Sequence, residues 1–106
     1  MVIYEVNLII HNEIYLDFYL WLVEHIGEML TFNGFKEAKI QKDISENNDN
    51  KTRLTICYTI ENMADIDDYL KTHAPAMRAD GINRFGDKFS ANRRIFLVDK
   101  VLTLPS

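Results

Sequence analysis

From Val2 to Ile10 apolar positions recur every second residue. Val2, Tyr4, Val6, Leu8 and Ile10 share one face, and Ile3, Glu5, Asn7 and Ile9 share the other. A period of two predicts a strand whose wholly apolar face meets a core. The period then changes. Asn12 reads as an N-cap with Glu13 in a favourable first-turn position, and the helix runs to about Thr31, stopping before Asn33-Gly34. At about 100° per residue, Asp17, Glu24, Glu28 and Thr31 make one narrow polar stripe. Ile14, Leu16, Phe18, Tyr19, Leu22, Val23, Ile26, Met29 and Leu30 occupy most of the remaining circumference. That arc is wider than one sheet face covers, so a second surface is expected over it, a partner subunit being the simplest.

A second strand is predicted from Phe35 to about Asp43, polar and lysine-bearing as an edge strand should be. Ser45 to Lys51 reads as a hairpin tip. Thr52 to Ile60 is a third strand, with Leu54, Ile56, Tyr58 and Ile60 on one face and Arg53, Thr55, Cys57 and Thr59 on the other. Asn62 caps a second helix, on which Met63, Ile66, Leu70, His73 and Met77 share a side. Pro75 disfavours helical geometry at Ala74 and brings no amide proton, which predicts a break and a restart with Pro75 in a first turn. Gly86 ends the restarted helix, Phe89 to about Val98 is a fourth strand, and Lys100 to Ser106 is a tail carrying Val101 and Leu102.

The order β-α-β-β-α-β predicts an α+β fold of the ferredoxin-like kind, one domain over residues 1–106. It has a four-stranded antiparallel sheet with two helices on one face. The uncovered face would carry Glu5, Asn7, Arg53, Thr55, Cys57 and Thr59 together with Ile3 and Ile9. That mixture suits a homodimer packed sheet to sheet, a dimeric α/β barrel.

Composition narrows the class. Of 106 residues, 47% are apolar and 26% charged, ordinary for a soluble globular chain. No basic leader opens the sequence, and Asp17, Glu24 and Glu28 interrupt the most apolar helix, so neither secretion nor membrane insertion is expected. The lone cysteine, Cys57, fits a reducing compartment, and the cytoplasm is the expected location. A net charge of −4 argues against nucleic acid as a partner. So does the third strand, which lacks the paired aromatics that RNA-binding sheets stack on bases.

The cations are concentrated in one segment. Arg78, Arg84, Lys88, Arg93 and Arg94 fall within YLKTHAPAMRADGINRFGDKFSANRR, residues 69–94. His73 lies on the apolar seam of the second helix, either as a neutral core histidine or as a ligand-binding or proton-transfer group at the break. Arg78 points to the apolar side of the restarted helix, where a guanidinium needs an acceptor: an Asp or Glu of the chain, or the carboxylate or phosphate of a ligand. His73, Arg78 and the amides near Pro75 would form an anion pocket, with Arg84, Lys88 and Arg93 as further candidates. Trp21 and His25 border the polar stripe and read as interface residues. The histidines and Cys57 show no zinc-type spacing, and there is no phosphate loop or nucleophile elbow, so no metal or cofactor is expected.

The run Tyr69-Leu70, His73-Ala74-Pro75, Met77-Arg78, Arg84-Phe85-Gly86, Lys88-Phe89, Ala91 and Arg93, with the opening Ile3-Tyr4-Glu5-Val6, resembles a bacterial family of about hundred-residue proteins, domain of unknown function 4286. The resemblance implies a ferredoxin-like, dimeric α/β fold and no established activity or catalytic residues. The residues favour a dimeric protein binding a small molecule or anion. They leave open a cofactor-independent enzyme of the dimeric α/β-barrel type, or a regulatory module without a ligand.

Overall fold

The computed structural model describes residues 1–45 and 47–105. The elements are β1 (Val2–His11), a 3-10 turn (Asn12–Ile14), α1 (Tyr15–Met29), β2 (Phe35–Lys42), β3 (Lys51–Ile60), α2 (Met63–Thr72), α3 (Ala74–Phe85) and β4 (Phe89–Leu97). The strands form one sheet in the order β2-β3-β1-β4, every pair antiparallel. β1 and β3 are therefore central, and each βαβ connection skips one strand, which is the ferredoxin-like arrangement expected from the pattern. The hairpin tip lies between β2 and β3, with its residue 46 outside the described residues.

Alternation on the two central strands decides where the core sits. Val2, Tyr4, Leu8, Ile10, Leu54, Ile56, Tyr58 and Ile60 are all buried, and they pack against Phe18, Leu22, Ile26 and Met29 of α1, Ile66 and Tyr69 of α2, and Ala74 and Met77 of α3. Register sets these side chains in rows across the helix-covered face. One row is Ala38, Tyr58, Tyr4 and Ile95; the next is Ile40, Ile56, Val6 and Arg93. One residue along β4, Arg94 lies on the opposite face and pairs with Glu5.

Local signals behave as their chemistry predicts in most places. Asn62 is extended and its Oδ1 accepts from the amide of Asp65 at 3.1 Å. Gly34 turns the chain into β2 at φ +83°, beside Asp65, where a Cβ would overlap the carboxylate. Gly86 closes α3 at φ 60°, its amide donating to the Ile82 carbonyl. The second helix breaks at one residue, His73, and Pro75 sits in the first turn of α3. The Asn12 cap is not formed. Its Oδ1 accepts from Thr52 Oγ1 at 2.6 Å and its amide donates to the Asn50 carbonyl, so Asn12 ties the chain to the β2–β3 loop and a 3-10 turn precedes α1. Long-range hydrogen bonds here outweigh a cap worth about 1 kcal/mol.

The apolar arc of α1 does exceed what the sheet covers: Leu16 and Val23 are 75% and 48% exposed. The outer sheet face is polar and internally bonded. Asn7 Nδ2 and Arg94 Nε both donate to Glu5 Oε1, and Thr55 Oγ1 donates to Asn7 Oδ1. These donors hold the Glu5 carboxyl below its usual range. No helix among the described residues is long and apolar enough to cross a membrane.

Replacing Ile66, which is fully buried between α2 and the sheet, by alanine should cost about 2–5 kcal/mol in a urea unfolding curve. The same truncation at Ile44, 92% exposed, should shift it by less than about 0.5 kcal/mol. Equal effects at the two sites would contradict the core described here.

Candidate functional site

A cavity of about 290 Å³ opens between α1, α3 and the helix-covered side of the sheet. It exists because the residues meeting there are small. Val6 and Ala91 are short on their strands, and Gly81 presents no side chain from α3. Gly81 also allows α1 to close in: a Cβ there would lie 2.9 Å from Trp21 Cη2 and 3.3 Å from Phe89 Cζ. Aromatic rings make the walls. Phe18 packs on Phe89 and Phe85 with centroids 4.9 and 5.0 Å away. Trp21 stacks on His25 at 4.6 Å, and its Nε1 donates to Asp80 Oδ2 at 2.9 Å, which pins the indole against α3. Tyr4, Tyr58 and Tyr69 close the opposite end, Tyr4 lying 5.9 Å from each of the other two rings.

Polar atoms converge at that tyrosine end. Arg78 Nη2 donates to Tyr4 Oη at 3.1 Å. Arg78 Nε is buried and has no acceptor among the described residues. A buried, unpartnered guanidinium donor costs free energy that the free protein leaves unrecovered. Arg93 reaches the same cavity from β4. Among the described residues no Asp or Glu lines it, and neither arginine has a carboxylate partner. Burial pushes the Tyr58 phenol up strongly and that of Tyr69 up to about 12, so both hydroxyls stay protonated. Burial pushes the His25 imidazole down, with nearby Arg93 acting the same way and Glu28 and Asp80 opposing. The cavity thus presents neutral rings and hydroxyls around fixed positive charge.

Of the five residues grouped from the sequence, the cavity brings together Arg78 and Arg93. The partner of Arg78 is a tyrosine hydroxyl, where an acidic side chain of the chain was one expectation. His73 stacks face to face on Phe32, centroids 4.2 Å apart, and does not line the cavity. Of the amides near Pro75, that of Met77 donates to the His73 carbonyl, and residues 74–76 do not line the cavity. Lys88 Nζ pairs with Glu13 Oε1 at 3.0 Å, joining the 3-10 turn before α1 to the entry of β4. Arg84 lies in a shallow groove with Asp17, Leu20 and Glu24.

Tyr4, Tyr58 and Tyr69 were legible only as strand and helix positions, and Trp21 and His25 as interface residues. A signal for the last two was present: they stand one helical turn apart, next to Phe18 and Leu22 of the buried stripe.

Because burial favours neutral His25, the unfolded chain takes up a proton there at higher pH than the folded one. This contribution is fully present above the unfolded value near pH ~6.5 and is lost as pH falls through the lower folded value. Urea stability should fall more steeply from about pH 7 to about pH 5 in the wild type than in His25→Phe. Parallel profiles would exclude a buried neutral imidazole.

The whole fold is similar to a crystal structure at 1.40 Å resolution of a presumptive antibiotic biosynthesis monooxygenase from Deinococcus radiodurans, with a TM-score of 0.77 and 14% identity over 100% of each chain. At that identity the likeness establishes the fold alone. Among curated proteins no relative matches. Residues 1–98 match the family model described as Domain of unknown function (DUF4286), and the chain, with its α+β ferredoxin-like sheet, belongs to that family.

Proposed function

We propose that the protein binds a small, mostly apolar molecule in the cavity between α1, α3 and the sheet, and that it does so as a homodimer in the cytoplasm. The observation that carries this reading is the cavity itself. It is walled by aromatic rings, its polar groups gather at one end, and its volume of about 290 Å³ sits at the lower edge of the ~300–1,000 Å³ usual for ligand sites. A chain that needed only to pack would gain by filling such a space with larger side chains at Val6 or Ala91.

Dimerisation draws support from the outer sheet face. Ile3, Ile9 and Phe96 lie there among hydrogen-bonded polar groups, uncovered by any helix of the same chain. A half-buried free Cys57 on that face suits a reducing compartment. A second reading is cofactor-independent catalysis in the same cavity. It draws on the Deinococcus neighbour, named for a monooxygenase, and on the neutral His25 and the tyrosine hydroxyls, which line the cavity, as proton-transfer groups. Turnover of a bound compound separates it from simple binding.

Trp21 is the single tryptophan and lines the cavity, so its emission reports occupancy. Neutral bicyclic aromatics should shift or quench it saturably, and Ala91→Phe, which fills the space from β4, should weaken binding about tenfold or more while the melting transition stays cooperative. Absence of saturable binding, or unchanged binding in Ala91→Phe, would reject this site.

Sedimentation equilibrium should give twice the 12.4 kDa chain mass, and Phe96→Asp should return it to the monomer value. A wild-type protein that sediments as a monomer at micromolar concentration would remove the dimer from the proposal.

A further inference from the structure

Resting on the reading of the cavity as a ligand site, we propose that its ligand is a planar aromatic monocarboxylate. The carboxylate lies against Arg78 and Tyr4, and the ring system extends toward Trp21 and His25.

Charge comes first. The chain carries a net −4, yet among the described residues the cavity is lined by two arginines and by no acid. Burial and neighbouring Tyr4 push the Tyr69 phenol up, and Arg78 and Arg93, both in the cavity lining, oppose them. A cationic ligand would meet repulsion at the arginine end, and a neutral one would leave the Arg78 donor unanswered.

Geometry then selects the kind of anion. Nε and Nη2 of a guanidinium form one edge, and a carboxylate bonds that edge with two parallel hydrogen bonds. On Arg78, Nη2 is turned to Tyr4 Oη and Nε has no acceptor among the described residues, so one half of the fork is loosely engaged and the other is without a partner among them. Tyr4 Oη accepts from Arg78, which leaves its own hydroxyl proton without an acceptor among the described residues and free to donate to the same anion. Nε is covered in the free protein, so the carboxylate reaches it by a rotamer-scale displacement of the side chains over it. A phosphate dianion asks for more donors than one fork and a phenol. Residues 74–76, whose amides stand at the start of α3, do not line the cavity, so the usual helix-start supplement is not at hand there.

The walls select the rest of the ligand. Phe18, Phe89, Trp21 and Tyr58 present ring faces and edges around a space of about 290 Å³, which suits a flat body of about two fused rings. Arg93, exposed on β4 at the cavity, adds attraction for an approaching anion.

The test titrates the full-length protein, by calorimetry and Trp21 emission, with 2-naphthoate, 2-naphthylmethanol and 2-naphthyl phosphate. 2-Naphthoate should bind about tenfold or more tighter than the alcohol, and the phosphate should not surpass it. Arg78→Lys keeps a positive charge but loses the fork, and should bring naphthoate down to the alcohol's affinity while leaving the alcohol unchanged. Tyr4→Phe keeps the ring and should weaken naphthoate several-fold with the alcohol again unaffected, which gives an answer even if the arginine variant does not fold. Equal affinity for acid and alcohol in the wild type would overturn the carboxylate while leaving the cavity as a binding site. Tighter binding of the phosphate would overturn it in favour of a phosphoryl ligand, and saturable binding of none of the three would count against both the carboxylate and the site.

Discussion

Two adjacent central strands with strict alternation, β1 and β3, hold this protein together. Their even-numbered residues form an almost unbroken apolar surface that only helices on that side can cover, and their odd-numbered residues form a polar surface bonded within itself around Glu5 and Asn7. A slip of β3 by one residue against β1 would turn Tyr58 to the polar side and bring Cys57 under the helices. Every other feature, including which arginine of β4 faces inward, inherits its position from this register.

The site arises where that packing is left incomplete. Along the row Ile40, Ile56, Val6 and Arg93 the sheet rises less than in the tyrosine row beside it, and α3 opposes it with Gly81. α1 answers with its largest side chain, Trp21, held in place by Asp80 and stacked on His25. The glycine therefore does two things: it admits the indole and it leaves space beside it. Such an arrangement stabilises the fold less than a filled core would, and it is the kind of local concession that ligand sites make.

Arg78 is the chemical counterpart of that concession. A guanidinium among aromatic side chains requires an acceptor, and the protein supplies half of one in the Tyr4 hydroxyl. The other cations of the same segment are spent differently. Lys88 fastens the entry of β4 to the 3-10 turn before α1 through Glu13, Arg94 anchors the outer network through Glu5, and Arg84 lies in a surface groove. A cluster that is continuous in the chain is thus distributed over two faces of the sheet and the outside of a helix.

Element types and their order followed from the sequence because they depend on local periods and on local chemistry. The two-residue alternation of Val2–Ile10 and Thr52–Ile60, the Asn62 cap, the break ahead of Pro75 and the turn at Gly86 are each set by neighbours a few residues away. The Asn12 cap failed for the opposite reason, since Thr52 and Asn50, some forty residues on, claim its polar atoms. The cavity was illegible on the same ground. Its lining comes from β1, α1, β3, α2, α3 and β4, and its key bond, Arg78 to Tyr4, spans 74 residues. Sequence alone identified Arg78 as a charge in need of a partner, because that follows from its helical face. Only the tertiary structure decided that the partner is a tyrosine on the first strand and that Arg93 joins it, because strand register and helix docking are set by packing across the whole chain.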